Sequence, residues 1–181
     1  MIKYQKLKLK DSDSSIDITD DWYVFEKHGG TSEERAFTDF IFKVSGDLKI
    51  KYNDIKLLRN EKAFNIYSFD PTRNGAKFEP DFVLILKDDK CSYQIFCEPK
   101  GDWSKDDIEG FNNSPEKWKN EFLEAITKLT KNNEISLLDI DKDSLKFYEN
   151  SCYKVYGLPF YNQDLESEFK KEFNSLLLNK N

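Results

Sequence analysis

The chain has 181 residues, enough for one domain with a substantial core, and aromatics at 15% exclude a disordered chain. Its 34 acids against 28 Lys and Arg leave a net charge of −6. That balance excludes a broad basic surface, so any hold on DNA must come from a local basic patch, a metal or a partner. There is no signal peptide and no long apolar run, so neither secretion nor membrane insertion is expected. Cys91, Cys97 and Cys152 are odd in number and lack metal-ligand spacing, which points to a reduced, cytoplasmic setting. Cys91 and Cys97, on or beside a buried strand, read as small hydrophobes.

Residues 1–24 read as an N-terminal arm and residues 25–181 as the main domain. The lysines of Met1–Lys10 suit an edge strand protected by charge, or a basic arm touching phosphate. Trp22, Tyr23, Val24 and Phe25 are expected to pack the arm onto the domain, and Gly29-Gly30 interrupts the chain before a helix. His28, the single histidine, reads as solvent-facing. From Ser32 to Val44, Phe37, Phe40, Ile41 and Val44 recur at helical spacing. Thr31 and Glu34 have capping-box spacing, which gives Glu34 a structural role at the helix start.

Two strands are expected over Ile55–Asn60 and Phe64–Phe69, followed by a turn of turn-forming residues, Asp70–Gly75. Two runs rich in apolar residues follow, Phe78–Leu86 and Ser92–Gly101, each reading as a strand buried on both faces. With the turn centred on Asp89 and Lys90, Asp81 lies across from Glu98. On that register Gln94, Phe96, Glu98 and Lys100 share one side. Two acids and a lysine then meet at one end of an apolar hairpin, where charge is rarely placed unless paired or bound to metal.

Beyond the hairpin, a polar loop over 101–113 has the length of a substrate-facing segment. Ser114-Pro115-Glu116 reads as a helix start, leading into an apolar face of Trp118, Phe122, Ala125, Ile126 and Leu129. Asp139–Asp143 reads as a solvated acidic turn. Tyr153–Phe160 reads as a last strand, and Asp164 caps a closing helix through Phe169, Phe173, Leu176 and Leu177.

Pro80-Asp81, with Glu98-Pro99-Lys100 one hairpin later, is the PD-(D/E)xK pattern of a nuclease superfamily. The wider words Phe-Glu-Pro-Asp-Phe-Val-Leu and Gln-Ile-Phe-Cys-Glu-Pro-Lys-Gly resemble the C-terminal endonuclease domain of the restriction subunit of type III restriction enzymes. The resemblance runs from Glu34 onward and touches Leu58–Glu61, Trp118-Lys119 and Gly157–Tyr161. It implies an α/β fold, a restriction-endonuclease-like αβββαβ core with a mixed central sheet flanked by helices. It also implies a magnesium-dependent DNA endonuclease, with manganese able to substitute. Asp81, Glu98 and the Pro99 carbonyl would hold the metal, Lys100 would orient water or steady phosphate, and Glu34 would point toward the metal. Lys100 also reads as a structural ion-pair partner, and Gln94 either lines the site or packs. A lysine at a strand end contributes little packing, so Lys100→Ala is expected to leave stability nearly unchanged. Expected partners are DNA, a helicase or translocase domain and a methyltransferase modification subunit, with no membrane. The chain has no Gly-x-x-x-x-Gly-Lys-Ser/Thr phosphate loop, so the translocase half is absent from it. The second function class is a non-catalytic DNA-clamping or assembly module with the same fold, attached to a helicase.

Overall fold

A computed structural model describes residues 16–17, 21–24, 27–28, 30–60, 62, 64–101, 113–132 and 152–179. The expectations for Met1–Lys10, most of the 101–113 loop and the Asp139–Asp143 turn lie outside those residues. Strands β1 (Ile16–Asp17) and β2 (Lys27–His28) form a short antiparallel pair. Helix α1 (Ser32–Lys51) follows; both halves of the Thr31/Glu34 capping box are present. It runs two turns beyond the expected end, because Leu48 continues the apolar stripe into the core. Trp22 and Tyr23 are fully buried beside it, and Tyr23 bridges to Leu57.

The central sheet has the order β3 (Asp54–Arg59), β6 (Phe82–Lys87), β7 (Cys91–Cys97), β8 (Cys152–Gly157). The first three strands are antiparallel and β8 is parallel to β7, so the sheet is mixed. A parallel return requires a crossover, and helix α2 (Lys117–Lys131) lies in that connection, in close contact with β8. Helix α3 (Glu166–Phe173) closes the described chain with a π-turn over Asn174–Leu178. The core order is therefore α1, β3, β6, β7, α2, β8, α3. The expected Phe64–Phe69 strand is shorter: β4 (Ile66–Tyr67) pairs only with β5 (Lys77–Phe78), as a separate ribbon outside the central sheet.

Strand alternation divides the core in two. Phe82, Leu84, Leu86, Ile95 and Cys97 join the cluster that contains α1 and α3, where Phe37 lies 5.2 Å from Phe82 between ring centres. Val83 and Phe96 join Phe122, Leu123 and Ile126 of α2. Burial on both faces holds only at one end of the hairpin; Ile85 is 37% exposed and the first half of β7 is half-buried. Helix α2 also begins after the Ser114–Glu116 turn rather than at it, and Ser114 accepts from the Glu116 amide at 3.2 Å. Gly157 lets β8 press against α2: a Cβ there would lie 2.4 Å from the Leu123 carbonyl oxygen. Phe96 is 5% exposed within the second cluster. Phe96→Ala is expected to cost roughly 3–5 kcal/mol in urea unfolding; a loss under about 1 kcal/mol would show that α2 is not seated on it.

The expectation for Cys91 is corrected. Cys91 and Cys152 face each other in the β7–β8 register and are joined as a disulfide. The 61-residue separation conceals in sequence a pairing that the parallel register brings together. Cys97 is a free, buried thiol, as a small hydrophobe should be. No helix among the described residues is long and apolar enough to cross a membrane.

Candidate active site

Asp81 immediately precedes β6, and Glu98 immediately follows β7. The pairing of Phe82 with Cys97, extended by one residue, sets Asp81 opposite Glu98, as the turn position implied. The contact is direct: the Asp81 amide donates to Glu98 Oε2 at 2.9 Å. On the other side, the pairing of Arg59 with Phe82 extends to Asn60 opposite Asp81. The Asn60 amide donates to the Asp81 carbonyl at 2.7 Å, and its side-chain nitrogen donates to the Pro80 carbonyl at 2.8 Å. The Pro80-Asp81 backbone is thus gripped from both neighbouring strands.

Glu98 is almost fully buried, its side chain only 3% exposed, and Lys100 Nζ lies 3.1 Å from its Oε1. Lys100 also reaches Glu116 Oε2 at 2.9 Å, and Glu116 in turn pairs with Lys119. The Lys100 backbone is pinned by Tyr161, which accepts from its amide at 2.7 Å, and by Asn162, which donates to its carbonyl at 2.9 Å. Tyr161 also donates its amide to the Glu98 carbonyl. In extended chain successive carbonyls point to opposite sides. With the Glu98 carbonyl and the Lys100 amide both turned toward Tyr161, the Pro99 carbonyl is directed to the side of Asp81.

Glu34 reaches this end of the sheet from the first turn of α1. Its Oε2 accepts from the Thr31 amide at 2.7 Å, and Arg59 Nε lies 3.2 Å from its Oε1. The capping role and the proximity to the site therefore coexist in one side chain. Gln94 does not join them. It lies about 13 Å along the strand from Glu98, and the Tyr153 hydroxyl donates to its side-chain oxygen. Arg59, Asn60 and Glu116 join the site although the sequence motif does not name them. The signal is there in part, since Leu58–Glu61 belongs to the words that carry the resemblance, and Glu116 immediately precedes the crossover helix.

Burial raises the Asp81 carboxyl to about 7, assisted by the neighbouring charges of Glu98 and Glu34. Burial also raises Glu98, although Lys100 and the Asp81 amide pull it back. For Lys100, burial acts to lower the pKa, but its bonds to Glu116 and Glu98 outweigh that and hold it above its ordinary value. The two adjacent carboxyls, with a main-chain carbonyl on the same side, form a set of hard oxygen donors. Such a set fits a magnesium-sized cation, which takes one or two carboxylates and fills the rest of its shell with water and phosphate. Among the described residues no three His, Cys, Asp or Glu side chains form a ready cage.

The raised carboxyl fixes a pH dependence. Between about pH 4 and 7 the folded chain keeps a proton on Asp81 that the unfolded chain has released, so stability falls as pH rises through that window. The lowered carboxyls, Glu33, Asp70, Glu79, Asp88 and Glu116, act below it. In EDTA the urea midpoint is expected to drop from pH 5 to pH 8, and Asp81→Asn to flatten part of that slope, the raised Glu98 acting in the same sense. A slope unchanged in the variant would place the titration elsewhere.

The fold and its charged end define a mixed α/β domain with a mixed four-stranded sheet, carrying two acids and a lysine at the mouth of its central hairpin. The family model described as HI_1054_C: C-terminal domain matches residues 2–178, and the chain belongs to that family. An "Uncharacterized protein" of Haemophilus influenzae is 35% identical over 186 residues, which cover 94% of this chain and 36% of that protein. The chain therefore spans about a third of the length of the relative it matches. No solved structure matches.

Proposed function

We propose that this chain is a metal-dependent DNA endonuclease domain of the PD-(D/E)xK type, related to the nuclease domain of type III restriction subunits. The observation that carries the reading is the junction of Asp81, Glu98 and Lys100 at one end of the hairpin, with the Asp81 amide on Glu98 and Lys100 on its other oxygen. The order α1, β3, β6, β7, α2, β8 is the αβββαβ order that this nuclease class uses, and it supports a restriction-endonuclease-like fold.

Asp81, Glu98 and the Pro99 carbonyl would hold magnesium, or manganese in its place. When bound, the ion neutralises phosphate charge and lowers the pKa of water. The protein's own part is placement and charge. Asn60 and Glu98 hold the Asp81 backbone from both sides, so its carboxylate needs little reorganisation. Lys100 is released from Glu116 toward the phosphate or its attacking water, while Glu98 keeps its ammonium charged. Glu34, tied to Arg59, adds negative field behind Asp81 and favours the cation. DNA is the substrate. A helicase or translocase domain and a methyltransferase subunit are the partners that supply translocation and target choice, in the cytoplasm.

One observation favours the second reading, a non-catalytic clamping or assembly module. Lys100 is engaged by both Glu98 and Glu116, as a purely structural lysine would be. Incubation of the chain with supercoiled plasmid separates the two. Nicked or linear product in magnesium and none in EDTA is the expected result. Intact plasmid with folded protein, in magnesium and in manganese, would leave the second reading.

A further inference from the structure

The ribbon of β4 and β5 stands outside the central sheet, yet it leads directly into the site through Lys77-Phe78-Glu79-Pro80-Asp81. Its inner positions, Ile66 and Phe78, pack on α2 with Trp118 and Phe122. The outer position Tyr67, and Phe69 two residues beyond the strand, carry large aromatic side chains into solvent: Tyr67 is 62% exposed and Phe69 54% exposed. Phe69 leans on Phe122, 5.1 Å between ring centres, which holds the ring in place. Cations lie over the aromatic surface behind them. The Arg73 guanidinium is 5.5 Å from the Trp118 ring centre, and Lys119 Nζ is 5.7 Å from that of Phe78. Lys119 continues through Glu116 to Lys100, so this surface and the carboxylate pair are contiguous.

Exposed aromatic rings offer flat faces on which bases stack. Rings interleaved with cations suit a strand whose bases stack and whose phosphates are neutralised. Positions two apart on an extended chain are separated by about 6.6 Å, roughly twice the 3.4 Å step per nucleotide of a stacked strand. Tyr67 and Phe69 therefore fit bases that have left the stack. A paired duplex, with its base faces hidden, would meet only the few cations here, against a chain of net charge −6.

We infer that the β4–β5 ribbon is a stacking platform that presents an unpaired nucleic-acid strand, or the single-stranded flank of a junction, to the Asp81–Glu98 end of the sheet. The inference rests on the nuclease reading for its purpose, though not for its test. Phe69 and Tyr67 hold the bases, the nearby Arg73 and Lys119 supply positive charge that offsets the phosphates, and the strand leaves toward Lys100.

The test is a fluorescence-anisotropy titration of the full chain in EDTA, against labelled oligothymidine, oligouridine and a duplex of equal length. One or both single strands are expected to bind about tenfold or more tighter than duplex, and the two single-strand arms decide between DNA and RNA. Tyr67→Ala is expected to weaken single-strand binding about tenfold, the scale of losing one stacked base. Tyr67→Trp should retain it, with duplex binding unchanged in both variants. Phe69→Ala should act likewise, but Tyr67 is the cleaner probe because Phe69 also packs on Phe122. Duplex bound as tightly as either single strand would overturn the inference. So would a folded Tyr67→Ala protein with wild-type affinity. Because binding is read without metal, intact plasmid alongside Tyr67-dependent binding would defeat only the nuclease reading. Cleaved plasmid alongside Tyr67-independent binding would defeat only the platform.

Discussion

Asp81→Asn is expected to remove magnesium-dependent plasmid cleavage, by roughly 10²–10³-fold or more, the scale of losing one pre-set electrostatic contact at a transition state. The fold should survive. Asparagine matches the shape of aspartate, and the contacts that place residue 81 are made by its backbone, to Glu98 and to Asn60. At pH 8 the variant should be as stable as the parent or more so, because it no longer ionises a carboxyl that burial and Glu98 oppose. Activity and thermal midpoint would then move in opposite directions, a pattern that misfolding cannot produce. Cleavage at the parental rate by the asparagine variant would remove Asp81 from the chemistry.

The second large effect concerns Lys100, where the structure changes the expectation. By position alone a lysine at a strand end contributes little to stability, but Glu98 is nearly inaccessible and Lys100 is its partner, at 3.1 Å. Stripping one member from a buried pair costs about 3–5 kcal/mol because it leaves an uncompensated charge. Lys100 is a quarter exposed and Glu98 can take up a proton, so about 2–3 kcal/mol is expected for Lys100→Ala, measured at pH 8. Cleavage should be lost as well. The double variant Lys100→Ala/Glu98→Ala should recover part of the stability and none of the cleavage, and that non-additivity isolates the pair. If Lys100→Ala costs less than about 0.5 kcal/mol, water reaches Glu98 in a way its burial does not suggest.

What the sequence by itself determined was local. The centre of the turn at Asp89-Lys90 set Asp81 against Glu98, since a two-residue period leaves one register once the turn is placed. Thr31 and Glu34, three apart, announced the cap of α1, and the Phe37–Phe40–Ile41–Val44 stripe announced its buried face. The tertiary structure alone decided what the ends of those elements meet. Asn60 reaches Pro80 only because β3 lies beside β6, and Glu116 reaches Lys100 only because the crossover carries α2 back over the sheet. Cys91 finds Cys152 for the same reason. Burial likewise belongs to packing: Ile85 and Ile95 are the same residue type on neighbouring strands, yet one is 37% exposed and the other is fully covered. Periodicity tells which side of a strand a residue takes. Whether a helix covers that side depends on where chain distant in sequence comes to rest, and that is a property of the folded molecule.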